Sequence, residues 1–219
     1  NEKATELGLQ DSLFVNASGW PDPDHVMSAR DLARLAGALI DKFPQYYDLF
    51  AEKSFTFNKI RQGNRNPLLY KNIGADGLKT GHTRAAGYGL VASAVRKGRR
   101  LTLVVNGLTS VNQRSRESER LLTWGFREFG SYALFKAGEV VADAEVWLGS
   151  EASLPLLIEE PLNVIMPRRA RRAMKVSVNY QGPLPAPIVK GQRVATLRIE
   201  APNFTTVERP LIAGARIDR

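Results

Sequence analysis

The sequence predicts an α/β layered domain over residues 1–131 followed by a small all-β sandwich over residues 132–219. Three observations lead there. An amphipathic helix pattern is followed by two apolar runs of strand type and then by a second amphipathic helix, the order of an α/β layer. Beyond about Ala137 the helical period disappears. Short alternating runs punctuated by Gly and Pro replace it, as in an antiparallel sandwich.

Asn1 to Leu7 reads as the end of a helix, with Gly8 at its stop. With no initiator Met and little helix before that stop, the expectation is that the chain starts inside a longer protein. The run Trp20-Pro21-Asp22-Pro23-Asp24 is loop, because prolines do not sit in a helix interior. Residues 28–42 form the clearest helix: Ser28 is the N-cap and Asp31 lies in the first turn. Leu32, Leu35, Ala36, Leu39 and Ile40 recur on one face, and Pro44 ends the pattern.

Strand character begins at Gly87. The runs 88–95 and 101–105 are joined by Arg96-Lys97-Gly98-Arg99 as a hairpin. Ser110 with Gln113 fits a capping box for the next helix. That helix carries Leu122, Phe126 and Phe129 on one face, with Gly130 as its stop. In the sandwich, Ala144, Val146 and Leu148 alternate, as do Met174, Val176, Val178 and Tyr180, and Ala195, Leu197 and Ile199.

The apolar share of 43% and charged share of 24% are those of an ordinary globular protein. No run of about 18 apolar residues exists to span a membrane, and the polar first residues are not a signal peptide. The net charge of +9 comes from scattered residues, apart from Arg168, Arg169, Arg171 and Arg172. Without an aromatic RNA-binding signature or a helix-turn-helix pattern, nucleic acid is not a partner. Attraction to an anionic cell envelope accounts for the charge. The absence of Cys removes disulfides and thiolate metal sites, and His25 and His82 are too far apart in sequence for a structural zinc site. No metal or organic cofactor is called for.

The stretch that carries chemistry is Asp76-Gly77-Leu78-Lys79-Thr80-Gly81-His82-Thr83, read as the start of a strand. An acyl-transfer enzyme acting on a peptide C-terminus must fix a carboxylate, align a peptide backbone and stabilise an oxyanion. Lys79 offers a point charge, Thr80 a hydroxyl, and Gly81 a close approach to the strand edge, where an extended substrate pairs through its main chain. Taken alone, Lys79-Thr80-Gly81 reads equally as a surface turn feeding a hairpin.

The longer string resembles the third signature of the penicillin-binding proteins and class A β-lactamases, and specifically the serine-type D-alanyl-D-alanine carboxypeptidases of low molecular mass. Glu6-Leu7-Gly8-Leu9, Asn16-Ala17-Ser18-Gly19, Met27-Ser28-Ala29-Arg30-Asp31-Leu32-Ala33, Asn64-Arg65-Asn66, Trp124-Gly125-Phe126 and Pro187-Ile188-Val189-Lys190-Gly191-Gln192 resemble further landmarks of that family. The resemblance implies a partial transpeptidase/β-lactamase-like domain followed by the family's β-sandwich. It implies removal of the terminal D-Ala from peptidoglycan stem peptides through an acyl-enzyme, and acylation by β-lactam antibiotics. It also implies a periplasmic or otherwise extracytoplasmic location, with the inner-membrane surface reached through a C-terminal anchor not present in these residues.

Two family signatures are missing. No serine here has Lys three positions later, and the Ser-x-Asn strings Ser110-Val111-Asn112 and Ser177-Val178-Asn179 follow Lys79 instead of preceding it. The nucleophilic serine and its general-base lysine are therefore expected upstream of Asn1, with no catalytic residue in this segment. The expected substrate-binding residues are Lys79, Thr80, Gly81, His82, Arg65 and Arg114. His82 reads either as part of the carboxylate site or as a plain strand-end histidine. Arg114 reads as a carboxylate-gripping guanidinium or, with Arg116 and Arg120, as a solvated helix face; Arg65 points into a cleft or into solvent. A β-lactamase and a non-catalytic envelope module are the alternative functions; the sandwich tail argues against the first.

Overall fold

The computed structural model describes residues 1–219 and divides them into two compact units, Asn1–Arg127 and Glu128–Arg219. The first unit opens with the short helix α1 (Glu2–Glu6), whose exit turns at Gly8 with φ of 74°. Helix α2 (Ala29–Lys42) starts where the Ser28 hydroxyl accepts the Asp31 N–H at 3.1 Å. Asp31 does more than complement the helix dipole. It is fully buried, and its Oδ2 accepts the Asp11 N–H at 2.7 Å and the Ser12 hydroxyl at 2.8 Å, tying the segment before the helix to its first turn. Burial pushes this carboxyl up. The hydrogen bonds from Asp11, Ser12 and Gln10, with the Arg34 guanidinium beside it, outweigh that and hold it below the ordinary aspartate range.

After α3 (Pro44–Tyr47) comes a two-stranded hairpin, β1 (Ser54–Phe57) and β2 (Ile60–Gly63), which the sequence pattern does not announce. Asn58 and Lys59 turn it with φ of 46° and 64°. Three antiparallel strands follow in the order β3-β4-β5: β3 (Ala75–Thr83), β4 (Gly87–Arg96) and β5 (Arg99–Leu108). Lys97 and Gly98, both at positive φ, make the expected tight turn between β4 and β5. Lys79-Thr80-Gly81 lies in the middle of β3 and not at a strand start. Glycines and polar residues hide this strand's alternation, and pairing with β4 defines it.

Helix α4 (Val111–Glu128) buries Arg114, Ser118, Leu122 and Phe126 on one stripe. Ser110 caps it by accepting the Gln113 N–H at 3.1 Å, while the Gln113 side chain reaches back to the Thr109 N–H at 2.7 Å, one residue earlier than a capping box requires. Leu122 and Phe126 pack with Leu68, Leu90, Ala92 and Ala94, and the last turn is capped by Arg99, which donates to the Phe126 carbonyl at 2.9 Å. A second cluster, Ala36, Tyr47 and Leu78, joins α2 to the sheet.

Helix α4 ends before the expected stop. Phe129 and Gly130 belong to β6 (Phe129–Phe135), which pairs with β9 (Leu162–Pro167), so the chain divides at residues 127/128. The remaining strands are β7 (Val140–Trp147), β8 (Ser153–Ile158), β10 (Lys175–Asn179), β11 (Leu184–Pro185), β12 (Arg193–Glu200) and β13 (Val207–Ala213). They form a six-stranded sheet in the order β10-β12-β13-β8-β7-β11. The pairing is antiparallel as expected except at its edge, where β11 runs parallel to β7. Two cis prolyl bonds, at Pro183 and Pro187, bracket that two-residue strand. Leu148 lies outside β7, at φ of 54° and exposed. Fifteen buried residues, among them Leu154, Leu156, Met166, Leu197, Ile199 and Leu211, make one continuous core in this unit. No helix of the chain is long and apolar enough to cross a membrane.

Candidate functional site

Strand β3 is the edge of its sheet: β4 pairs with one side, and no strand of the chain pairs with the other. Its open side therefore presents unpaired main-chain donors and acceptors, the template that an extended peptide adds to. Along it Thr80 is buried, while Lys79, Gly81 and His82 are exposed. The Lys79 ammonium donates to the Thr80 carbonyl at 2.7 Å and meets no carboxylate. A side chain built on Gly81 would touch nothing within 4 Å, so packing within the chain does not require glycine there. The partner glycine across the ladder differs: a Cβ on Gly89 would stand 2.8 Å from Asn106 Oδ1.

These residues line a cleft of about 900 Å³ that also takes in Asn16, Ser18, Arg65 and Arg114. All six residues singled out as substrate-binding in the sequence border it. They differ in setting. Arg65 is exposed in the loop after β2, whereas Arg114 is only 6% exposed, which sets aside the solvated-face reading for that residue. His82 stacks on Tyr88 with ring centroids 4.0 Å apart, and the Arg114 guanidinium lies 5.7 Å from the Tyr88 ring on the same unit. Tyr88 thus links two of the expected residues and was not singled out in the sequence; its pairing with His82 across β3 and β4 arises only from the register.

The electrostatics have one sign. Arg65, Lys79 and Arg114 line the cleft, and no Asp or Glu does. Burial lowers the Arg114 pKa from its ordinary value, and its Nε–H has no acceptor. An unpartnered buried donor is destabilising by about 1–3 kcal/mol. The arrangement suits an extended, C-terminally anionic peptide laid along β3. The chain contains no group of His, Cys, Asp and Glu suited to holding a metal ion.

Comparison with known proteins assigns both parts of the chain to one family. Residues 1–110 match the family model described as D-alanyl-D-alanine carboxypeptidase, and residues 129–219 match the C-terminal domain of penicillin-binding protein 5. The D-alanyl-D-alanine carboxypeptidase DacC of Escherichia coli is 40% identical over 100% of this chain and 55% of its own length. The structure of penicillin-binding protein 5 from Haemophilus influenzae superimposes with a TM-score of 0.85 at 34% identity, covering 100% of this chain and 64% of that one. Penicillin-binding protein D2 of Listeria monocytogenes, solved with ampicillin bound, gives a TM-score of 0.54 at 32% identity over 57% of this chain and 53% of its own. The chain spans about half the length of the curated relatives it matches.

Proposed function

The chain belongs to the D-alanyl-D-alanine carboxypeptidase family, and from that premise we propose that it supplies the carboxylate-binding wall and the β-sandwich of a serine-type enzyme that trims peptidoglycan. The complete enzyme removes the terminal D-Ala of a stem peptide ending in D-Ala-D-Ala. A serine attacks the penultimate carbonyl, D-Ala leaves as the free amine, and water hydrolyses the ester. The serine and its base lysine come from residues outside these 219, because no Ser-x-x-Lys occurs among them. Lys79, Thr80, His82, Arg65 and Arg114 hold the substrate carboxylate, and Gly81 admits the substrate backbone. β-Lactams, which carry a carboxylate beside a strained amide, acylate the same serine. The protein works in the periplasm or an equivalent extracytoplasmic space, at the inner-membrane surface.

The observation that supports this most is the free edge of β3 facing a cleft whose lining is cationic and free of carboxylates. A fluorescent penicillin tests it. The longer protein carrying Ser-x-x-Lys should be covalently labelled and the 219-residue chain should not. An unlabelled longer protein overturns the activity, and a labelled 219-residue chain overturns the position of the nucleophile.

A further inference from the structure

A cluster that the proposed chemistry does not use sits at the start of β3. Asp76, three residues before Lys79, accepts hydrogen bonds at Oδ1 from the Tyr47 hydroxyl at 3.0 Å and from Arg100 Nη1 at 2.9 Å, and its Oδ2 pairs with the same guanidinium at 2.8 Å. Arg100, on β5, also donates to Ser93 on β4 and lies 5.0 Å over the Tyr47 ring. The next residue is held from another direction. Asn66, 1% exposed, donates from Nδ2 to the Gly77 carbonyl at 2.8 Å, accepts the Leu68 N–H at 3.1 Å, and receives its own backbone anchor from Asn64 Oδ1 at 2.9 Å. Gly77 leaves no spare room, since a Cβ there would stand 2.7 Å from the Tyr47 hydroxyl oxygen.

These anchors fall where the β3–β4 register shifts, between Ala75 and Gly77. A bulge re-aims every side chain that follows it. A slip of one residue would exchange the faces of Lys79 and Thr80, and β3, paired on one side only, has no second neighbour to resist it. At the Gly81–Gly89 pair the ladder has no side chains to interlock, so the anchors at the head of β3 add to the register set by buried Leu78 and Thr80 and by the His82–Tyr88 stack.

We propose that Asp76 and Asn66 are positioning residues for the reaction: by fixing the bulge at the head of β3, they set the direction in which Lys79, Thr80 and Gly81 face the substrate. Tyr47, Arg100 and Ser93 complete the anchor on Asp76. This role rests on the reading of Lys79 as the carboxylate binder.

The test compares kcat/KM for a peptide ending in D-Ala-D-Ala with that for its C-terminal amide, on the longer protein carrying the serine. The wild type should prefer the free acid. Asp76→Ala and Asn66→Ala should reduce that preference by about tenfold or more, given that a displacement of about 1 Å can lower a rate by about a hundredfold. The isosteric Asp76→Asn keeps an acceptor for Tyr47 and Arg100, so it should retain part of the preference. The ratio is independent of how much enzyme is folded, because both substrates see the same active fraction. Variants slower on both substrates with an unchanged ratio overturn the positioning role and leave the network a stabilising one. A wild type that is labelled by penicillin but indifferent to the carboxylate overturns the reading of Lys79, and the positioning role with it.

Discussion

In the second unit one apolar cluster of fifteen buried residues spans the sheet, whereas the apolar clusters of the first unit hold six and three. The first unit also keeps large apolar side chains in contact with solvent. Phe55, Phe57 and Ile60 on the β1–β2 hairpin are 70%, 69% and 62% exposed, and along α2 the leucines of the predicted buried face stay half-buried, with only Ala36 fully enclosed among the apolar residues. Apolar area is what offsets chain entropy. The second unit therefore has one continuous interior, while the first has two smaller ones. The difference also separates roles: the side chains that border the cleft belong to the less enclosed unit.

The largest effect that can break this comparison is all-or-none. Residues 128–219 expressed alone should unfold in one cooperative thermal transition. Residues 1–127 alone should show none, and should bind a dye that reports exposed apolar surface. A cooperative transition from 1–127 would mean that its two small clusters suffice.

Next come single substitutions, the first in the 219-residue chain and the second in the longer, serine-bearing protein. Leu197→Ala in the enclosed core should destabilise the second unit by about 2–5 kcal/mol, read from a denaturant midpoint. Ile60→Ala on the open hairpin should change stability by no more than about 0.5 kcal/mol. Equal losses would show that the hairpin's exposure does not reflect its energetics.

Lys79→Ala sharpens the division of roles. On the longer, serine-bearing protein it should slow acylation by a D-Ala-D-Ala peptide by about ten- to a hundredfold, the worth of a charge-assisted contact of about 1.5–3 kcal/mol. Its melting temperature should stay put, since Lys79 is exposed and meets no carboxylate. Lys79→Arg should recover only part, a planar fork being a poor replacement for a compact ammonium. A fall in melting temperature that tracks the loss of activity would assign Lys79 to the fold.

The smallest effect is pH-dependent. Because the folded structure holds the Asp31 carboxyl below its ordinary value of 3.8, its contribution is present above that value and is lost as pH falls through the depressed one. In the longer, serine-bearing protein, Asp31→Asn should therefore lower the denaturant midpoint at neutral pH, and the gap to wild type should close in acid. A gap that persists unchanged in acid would mean that shape, and not charge, accounts for Asp31.

What could be read in advance followed local chemistry. Helix α2 was legible because Ser28, Asp31 and the leucine spacing act within one turn of each other. The β4–β5 hairpin was legible from two apolar runs around Lys97-Gly98. The β1–β2 hairpin was not, since its turn uses Asn58-Lys59 where glycine would have signalled it, and its alternation spans only Phe55 and Phe57. Strand β3 was only partly legible for a related reason: the string 76–83 read as a strand start, but Gly77, Lys79, Gly81 and His82 carry no alternating apolar signal, so its extent comes from the partner strand. In the site, Lys79, Thr80 and Gly81 were legible as a motif. Tyr88, Asn66 and Arg100 act through neighbours 6, 11 and 24 residues away, and no spacing rule links them. Arg114 is intermediate: its place in the first turn of α4 was legible, and its burial was not.

The empty space beside Gly81 has an evolutionary consequence. Its backbone is not in the left-handed region and no atom stands within 4 Å of where a methyl group would go. At such a position alanine stabilises a chain by about 0.4–1 kcal/mol relative to glycine, through the unfolded state. Folding of these 219 residues thus pulls position 81 toward alanine, and only what must lie against the strand pulls it back. Under the role proposed for Gly81, Gly81→Ala would impair ligand entry while slightly hardening the protein. Screening for lost thermal stability would pass over such a variant; only a binding or labelling assay would expose it.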